Sequence, residues 1–476
     1  MHNSKLIHIL SVLNPEELKR LYKFLKSPYY NANPHLIKLY KILRVDHPHF
    51  SSPTLSKERV FRKLFPDNAY NHAKLLNLMS DLTALVRTYL QHLQLETEAH
   101  TQEHLLLAAY ASRPEAYELF VRQADKTQDH LHQLSHQSPT YHERLFRLNK
   151  LSLSHPKTDK FSLSKSQYED SLYHLDCWYI QEKLLLSCEV KAREKPLSEH
   201  YDIWLAEQLR SKSEEYQMNH PTTRAYLDIL DLLQGGEESV YYQLKQLFLS
   251  SFAQFSPIEK QNILQSLINY TIQQGNQGQR PFVRENFELY QFGLSKQLFL
   301  EQGILDDMIY LSIVNIALRV GESSWCLDFI QSHHSLLPEG KQKDAHALAT
   351  ALWHYRQQQT GETIQLLRQL DFKNVYYQIQ ARVLLIKVYV ETIQQDSENI
   401  ELVISLSQAF ERYIRRNKTI SATNRTALLN FTLIVRRLAK FRDRIGTEGQ
   451  SVNKIKQELQ AMGSVYNRNW LGEQLA

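Results

Sequence analysis

The sequence predicts an all-α protein, and three observations carry that prediction. Turn-forming residues are scarce: 13 Gly and 14 Pro in 476 residues, where average usage gives roughly twice as many. Sheets need tight turns, and tight turns consume these two residues. Apolar residues recur at intervals of three and four, which places them on one helix face. Helix-start signals are also explicit. Asn14-Pro15-Glu16-Glu17 and Ser256-Pro257-Ile258-Glu259 each put a capping side chain before a proline at the first helical position, with Glu at the third.

The elements follow in order. A helix from Pro15 carries Leu18, Leu21, Tyr22 and Leu25 and stops before Ser27-Pro28. Asn33-Pro34 opens a second helix with Leu36, Leu39, Tyr40 and Leu43. A third runs from Ser56 to Phe65 and a longer fourth from Tyr70 to Leu95, so residues 1–95 are expected to form a basic helical bundle. Residues 96–160 read as a helical connector, broken near Arg113-Pro114 and ending in a polar stretch that begins at Ser154. Residues 161–304 read as a helical array led by an aromatic helix over Tyr168 to Lys195.

The last segment, 305–476, contains a repeat. Gly321-Glu-Ser-Ser-Trp-Cys-Leu327 matches Gly361-Glu-Thr-Ile-Gln-Leu-Leu367, with Ile330 and Leu370 three residues beyond each. Each Gly is expected to separate two helices. First helices then begin near 305, 341 and 374, a period of roughly 35 residues, as in helical solenoids. Residues 305–416 resemble divergent tetratricopeptide repeats, with Gly at the turn within a pair and Cys326 where that family favours a small residue. In this alignment Leu366 stands at the next small-residue position. The resemblance implies an α-solenoid whose concave helix surface binds a protein partner. The chain as a whole also resembles large all-helical bacterial proteins, which imply no particular activity. Leu348, Leu352, Trp353, Leu367 and Leu384 are expected to be buried between stacked helices.

Composition excludes several classes. Three cysteines, Cys177, Cys188 and Cys326, do not make a disulfide framework. Residues 1–13 lack the basic and apolar regions of a signal peptide, and no apolar run is long enough to span a membrane. The expected compartment is therefore the cytoplasm, with no membrane partner. There is no Walker loop and no Gly-x-Ser-x-Gly. His100-Thr-Gln-Glu103-His104 spells an inverted zincin motif, but no third ligand and no strands accompany it. It reads as a solvated helix face, and so do His132 and His136. No cofactor, no metal and no enzymatic activity are expected.

Charge is the remaining signal. Residues 1–74 carry 13 Lys and Arg against 5 Asp and Glu, and residues 412–476 carry 13 against 4. These basic ends flank an acidic middle, so they either meet an anionic partner or fold against that middle. The densest set is Arg412, Arg415, Arg416, Lys418, Arg436, Arg437, Lys440, Arg442 and Arg444, opposed within the stretch by Asp443 and interleaved with Phe410, Tyr413, Phe431 and Phe441. Cations between aromatics suit phosphate contact and base stacking. The expected function is a non-enzymatic scaffold that binds a protein partner through a helical-repeat surface. The alternative is a nucleic-acid-binding protein using the basic ends.

Overall fold

The structure is a computed structural model, and it describes residues 1, 3–158, 164–197, 199–203, 211, 220–369, 374–393, 399–443 and 450–475. Among them are 22 α-helices and one two-stranded hairpin, Leu300–Glu301 paired with Ile304–Leu305. None of the described helices is long and apolar enough to cross a membrane. The chain divides into two compact units. One comprises residues 1–134 and 139–179, the other residues 135–138 and 180–476.

The first unit opens with α1 (Lys5–Ser11), α2 (Pro15–Lys26), α3 (Pro34–Arg44), α4 (Lys57–Leu64) and α5 (His72–Thr97). The capping box forms as its residues predict. Asn14 Oδ1 accepts from the Glu17 N–H at 2.9 Å, and the Asn14 N–H donates to Glu17 Oε2 at 2.8 Å. The apolar faces of the five helices close one core that includes Leu21, Leu39, Phe61, Leu75 and Val86. Two tyrosines fasten it: the Tyr40 hydroxyl donates to the Leu18 carbonyl at 2.6 Å and that of Tyr89 to the Glu17 carbonyl at 2.7 Å. Then come α6 (Ala99–Ala111), α7 (Tyr117–His132) and α8 (Pro139–Ser154), around a smaller core of Leu107, Phe120 and Leu148. The long helix α9 (Lys165–Leu197) contains the boundary between the units.

The second unit is a series of helix pairs. They are α10–α11 (Pro221–Leu233, Glu238–Ser250), α12–α13 (Pro257–Asn276, Pro281–Ser295), α14–α15 (Asp307–Arg319, Ser323–His333) and α16–α17 (Gln342–Arg356, Thr360–Gln369). Two more follow: α18–α19 (Val375–Thr392, Asn399–Arg416) and α20–α21 (Ala422–Asp443, Gln450–Ala461); a short α22 (Arg468–Gln474) ends the series. Among the described residues, pairing therefore extends back at least to Pro221, well before the repeat visible in the sequence. First helices pack side by side, α14 on α16 and α16 on α18. α14 illustrates why its sequence is apolar almost all round. Tyr310, Leu311, Ile313, Val314, Ile316, Ala317 and Leu318 are all buried, because neighbours cover it on several sides.

A single turn geometry recurs. Five helices of this unit end on a left-handed residue: Gly235, Gly278, Gln297, Gly321 and Gln358. After each, an N–H reaches back five residues, as from Glu322 to the Ala317 carbonyl at 2.9 Å and from Gln359 to the His354 carbonyl at 3.0 Å. This is the closure that satisfies the last helical carbonyls. It also corrects the repeat register. Gly321 does end α14, but its counterpart is Gln358, whereas Gly361 lies inside the first turn of α17 with no left-handed backbone. The structural offset is thus 37 residues, not the 40 of the Gly-Glu match. Cys326 then aligns with Thr363, and both are fully buried. Leu366 is not the small-residue position.

Leu348, Leu367 and Leu384 are buried as expected. Leu352 and Trp353 are only partly covered; they pack against the core edge, and Trp353 Nε1 donates to the Ser323 carbonyl at 2.9 Å. Cys177, Cys188 and Cys326 are buried and form no disulfide, in agreement with the cysteine reading, and burial pushes the Cys177 thiol up to about 11.

Three pairs are also tied by one carboxylate. Asp307, at the start of α14, is buried. Its Oδ1 accepts from Lys341 Nζ, just before α16, at 2.6 Å. Its Oδ2 accepts from the hydroxyl of Tyr377, itself buried, on α18.

Candidate functional site

The basic C-terminal residues sit on α19 and α20, and the structure treats them unequally. Arg415 grips Glu411 with Nε at 3.0 Å and Nη2 at 2.8 Å, and Arg436 reaches the other oxygen of the same carboxylate at 2.7 Å. The Arg415 hydrogen bond, with Arg436 beside it, holds the Glu411 carboxyl below the usual range. Arg437 pairs with Glu458 of α21. Arg442 turns inward: it donates to the Val390 carbonyl at 2.6 Å and to Gln474 Oε1 at 3.0 Å. Arg412, Arg416, Lys418 and Lys440 remain exposed, with no hydrogen bond or ion pair among the described residues. Arg444 lies outside the described residues. Phe410 and Phe431 are fully buried and so offer no face for stacking. The neutralising partners, Glu411 and Glu458, flank the stretch in sequence and were invisible to a count made within it.

A second constellation emerges only in the fold. An open depression of about 880 Å³ is lined by the first helices of successive pairs and by the residues around α22. α14 contributes Asn315 and Arg319, α16 contributes Tyr355 and Arg356, and α18 contributes Lys387 and Glu391. Asn315 and Arg319, Leu352 and Arg356, and Lys387 and Glu391 are each four residues apart, so each pair shares a helix face. Arg319 and Arg356 are exposed and stand 37 residues apart, at the same position of consecutive pairs. The 40-residue alignment hides this equivalence by setting Arg319 against Gln359.

The floor of the depression is built around Lys387. Its ammonium lies over the rings of Tyr355 and Trp470, 5.1 and 5.2 Å from their centroids. Burial lowers its pKa to about 8, with Glu391 pulling the other way. Glu391 Oε1 accepts from the Tyr355 hydroxyl at 2.5 Å and from Trp470 Nε1 at 2.7 Å. Trp470 is thereby fixed against α18. Arg468 caps the end of α21 through the carbonyls of Leu459, Met462 and Gly463. Arg319 donates to the Gly275 carbonyl at 3.1 Å and is otherwise exposed. The result is a row of cations, Arg319, Arg356 and Lys387, over an aromatic and amide floor.

The His100-x-x-Glu103-His104 helix is not a solvated face. Both histidines are half-buried, and with Glu103 they line a cavity in the first unit. Among the described residues they do not bring three ligand atoms together. No protein-family profile, curated protein or solved structure matches this chain.

Proposed function

We infer that this protein is a non-enzymatic scaffold whose tetratricopeptide-like second unit binds an acidic segment of a partner protein, in the cytoplasm. The observation that carries this reading is the row Arg319, Arg356 and Lys387 on three consecutive first helices beside an open depression. Cations on successive first helices suit an extended chain bearing carboxylates at intervals. The Asn276 and Asn315 amides suit its backbone. Fixed aromatic rings beneath supply apolar contact at small entropic cost. The basic patch on α19 and α20 is a weaker candidate for nucleic acid, because Glu411 and Glu458 already engage Arg415, Arg436 and Arg437.

The test compares partners captured from the native host by wild type and by Arg319→Glu/Arg356→Glu. Loss of a specific bound protein supports the reading, provided that Arg416→Glu/Lys440→Glu retains it. Equal capture by the groove variant would refute it. Retention on single-stranded RNA at about 150 mM salt that depends on Arg416 and Lys440 would favour nucleic acid instead.

A further inference from the structure

We propose that the cavity between α6, α7 and α8 in the first unit is a binding site for a small oxyanion, the carboxylate or phosphate group of a small molecule. The cavity is about 180 Å³ and is lined by His100, Thr101 and His104 of α6, Thr127 of α7, and Thr140 and Arg144 of α8, with Glu103, Glu143 and Arg147 also on its wall.

The decisive group is Arg144. Its Nε is sealed from solvent with no hydrogen-bond partner. The side chain makes no ion pair among the described residues; Glu143, Glu103 and Glu98 act on it only at longer range. Burial lowers its pKa, so its environment disfavours the cation it must nevertheless carry. Arg144 is half-buried, but its Nε is sealed and unpaired, and native folds rarely leave such a donor unsatisfied. An oxyanion in the cavity supplies the missing acceptor, in the fork geometry a guanidinium prefers.

The other walls agree. Burial lowers the pKa of both His100 and His104, which favours neutral imidazoles, each offering one N–H. The Thr127 oxygen accepts from Gln123 at 3.3 Å, so its own proton can turn inward, and Thr140 adds a second hydroxyl. The two carboxylates have cationic companions of their own. Glu143 binds Arg147 at 2.8 Å, and Glu103 faces His130 at 3.6 Å. The volume admits a ligand of a few non-hydrogen atoms. The motif that looks like a metal site in sequence thus contributes donors to an anion site.

The test uses the full chain, with malonate and inorganic phosphate as probes at about 150 mM sodium chloride. Calorimetric titration should show saturable binding of at least one probe, and which one binds separates a carboxylate ligand from a phosphate. Arg144→Gln should weaken that binding by roughly tenfold or more, the loss of a charge-assisted fork. Its unfolding midpoint without ligand should equal or exceed that of wild type, because a half-buried charge with a sealed, unsatisfied Nε has been removed. The bound probe should slow amide exchange in α6–α8 and leave the second unit unchanged. No saturable binding of either probe would overturn the proposal. So would unchanged affinity in Arg144→Gln, protection elsewhere in the chain, or a ligand-free midpoint below wild type, which would make Arg144 a structural residue.

Discussion

Replacing Asp307 by Ala should loosen three helix pairs at once. The side chain accepts from Tyr377 and Lys341, residues 70 and 34 positions away. The Tyr377 bond joins two groups that are 1% and 2% exposed, so its loss removes a charge-assisted bond shielded from solvent. A hydrogen bond to a charged group contributes about 1.5–3 kcal/mol in such a place. Lys341 is different: 44% of its side chain is exposed, so it can turn to solvent and adds at most about 1 kcal/mol. Together these give a loss near 3 kcal/mol, or roughly a hundredfold faster opening. A chain of this size need not unfold in two states. The assay is therefore native-state hydrogen exchange on the amides of α14, α16 and α18, which reads local opening. Tyr377→Phe alone should cost about 2 kcal/mol. The double variant should cost little more than Asp307→Ala, giving a coupling near 1.5 kcal/mol. Additive losses, with coupling below about 0.5 kcal/mol, would refute the bridge.

Two other outcomes are expected. At Gln358 the backbone is left-handed, φ +59°, where Gly serves in three of the five equivalent turns; Gln358→Gly should stabilise the second unit by about 0.5–1 kcal/mol and Gly321→Ala should destabilise it by a similar amount, read as shifts in thermal midpoint. Lys387 titrates near 8 in the folded chain, below its ordinary value near 10.4, so between those limits the unfolded state binds more protons and stability rises with pH; Lys387→Met should flatten that rise between pH 7.5 and about 10, and parallel profiles would show that Lys387 is well solvated.

Helices were legible in this sequence because their signals are local. Asn14-Pro15 and Ser256-Pro257 specify their own caps, and three-four spacing needs no knowledge of neighbours. Register was not legible. A left-handed turn at Gln358 carries no glycine, so the visible Gly361 drew the alignment three residues out of phase and concealed the match of Arg319 with Arg356. Charge was legible as composition but not as presentation. Arg442 counts as part of a basic patch until its contacts with Val390 and Gln474 place it inside the fold. Arg144 gave no signal at all, because an unpaired guanidinium is defined by what surrounds it in space.

The Asp307–Tyr377 contact also fixes how many pairs can stand between α14 and α18. Arrays of stacked units can ordinarily gain or lose a unit by duplication or deletion, since each touches only its neighbours. Here a residue on one first helix meets a residue two pairs along. Inserting another 37-residue unit between them would set a different side chain opposite Asp307 and leave its carboxylate buried without the tyrosine. Removing one would bring Tyr377 to the wrong neighbour. The bridge works as a ruler: it tolerates substitution on the surface of the intervening pair, but it reads the number of pairs and rejects a miscount.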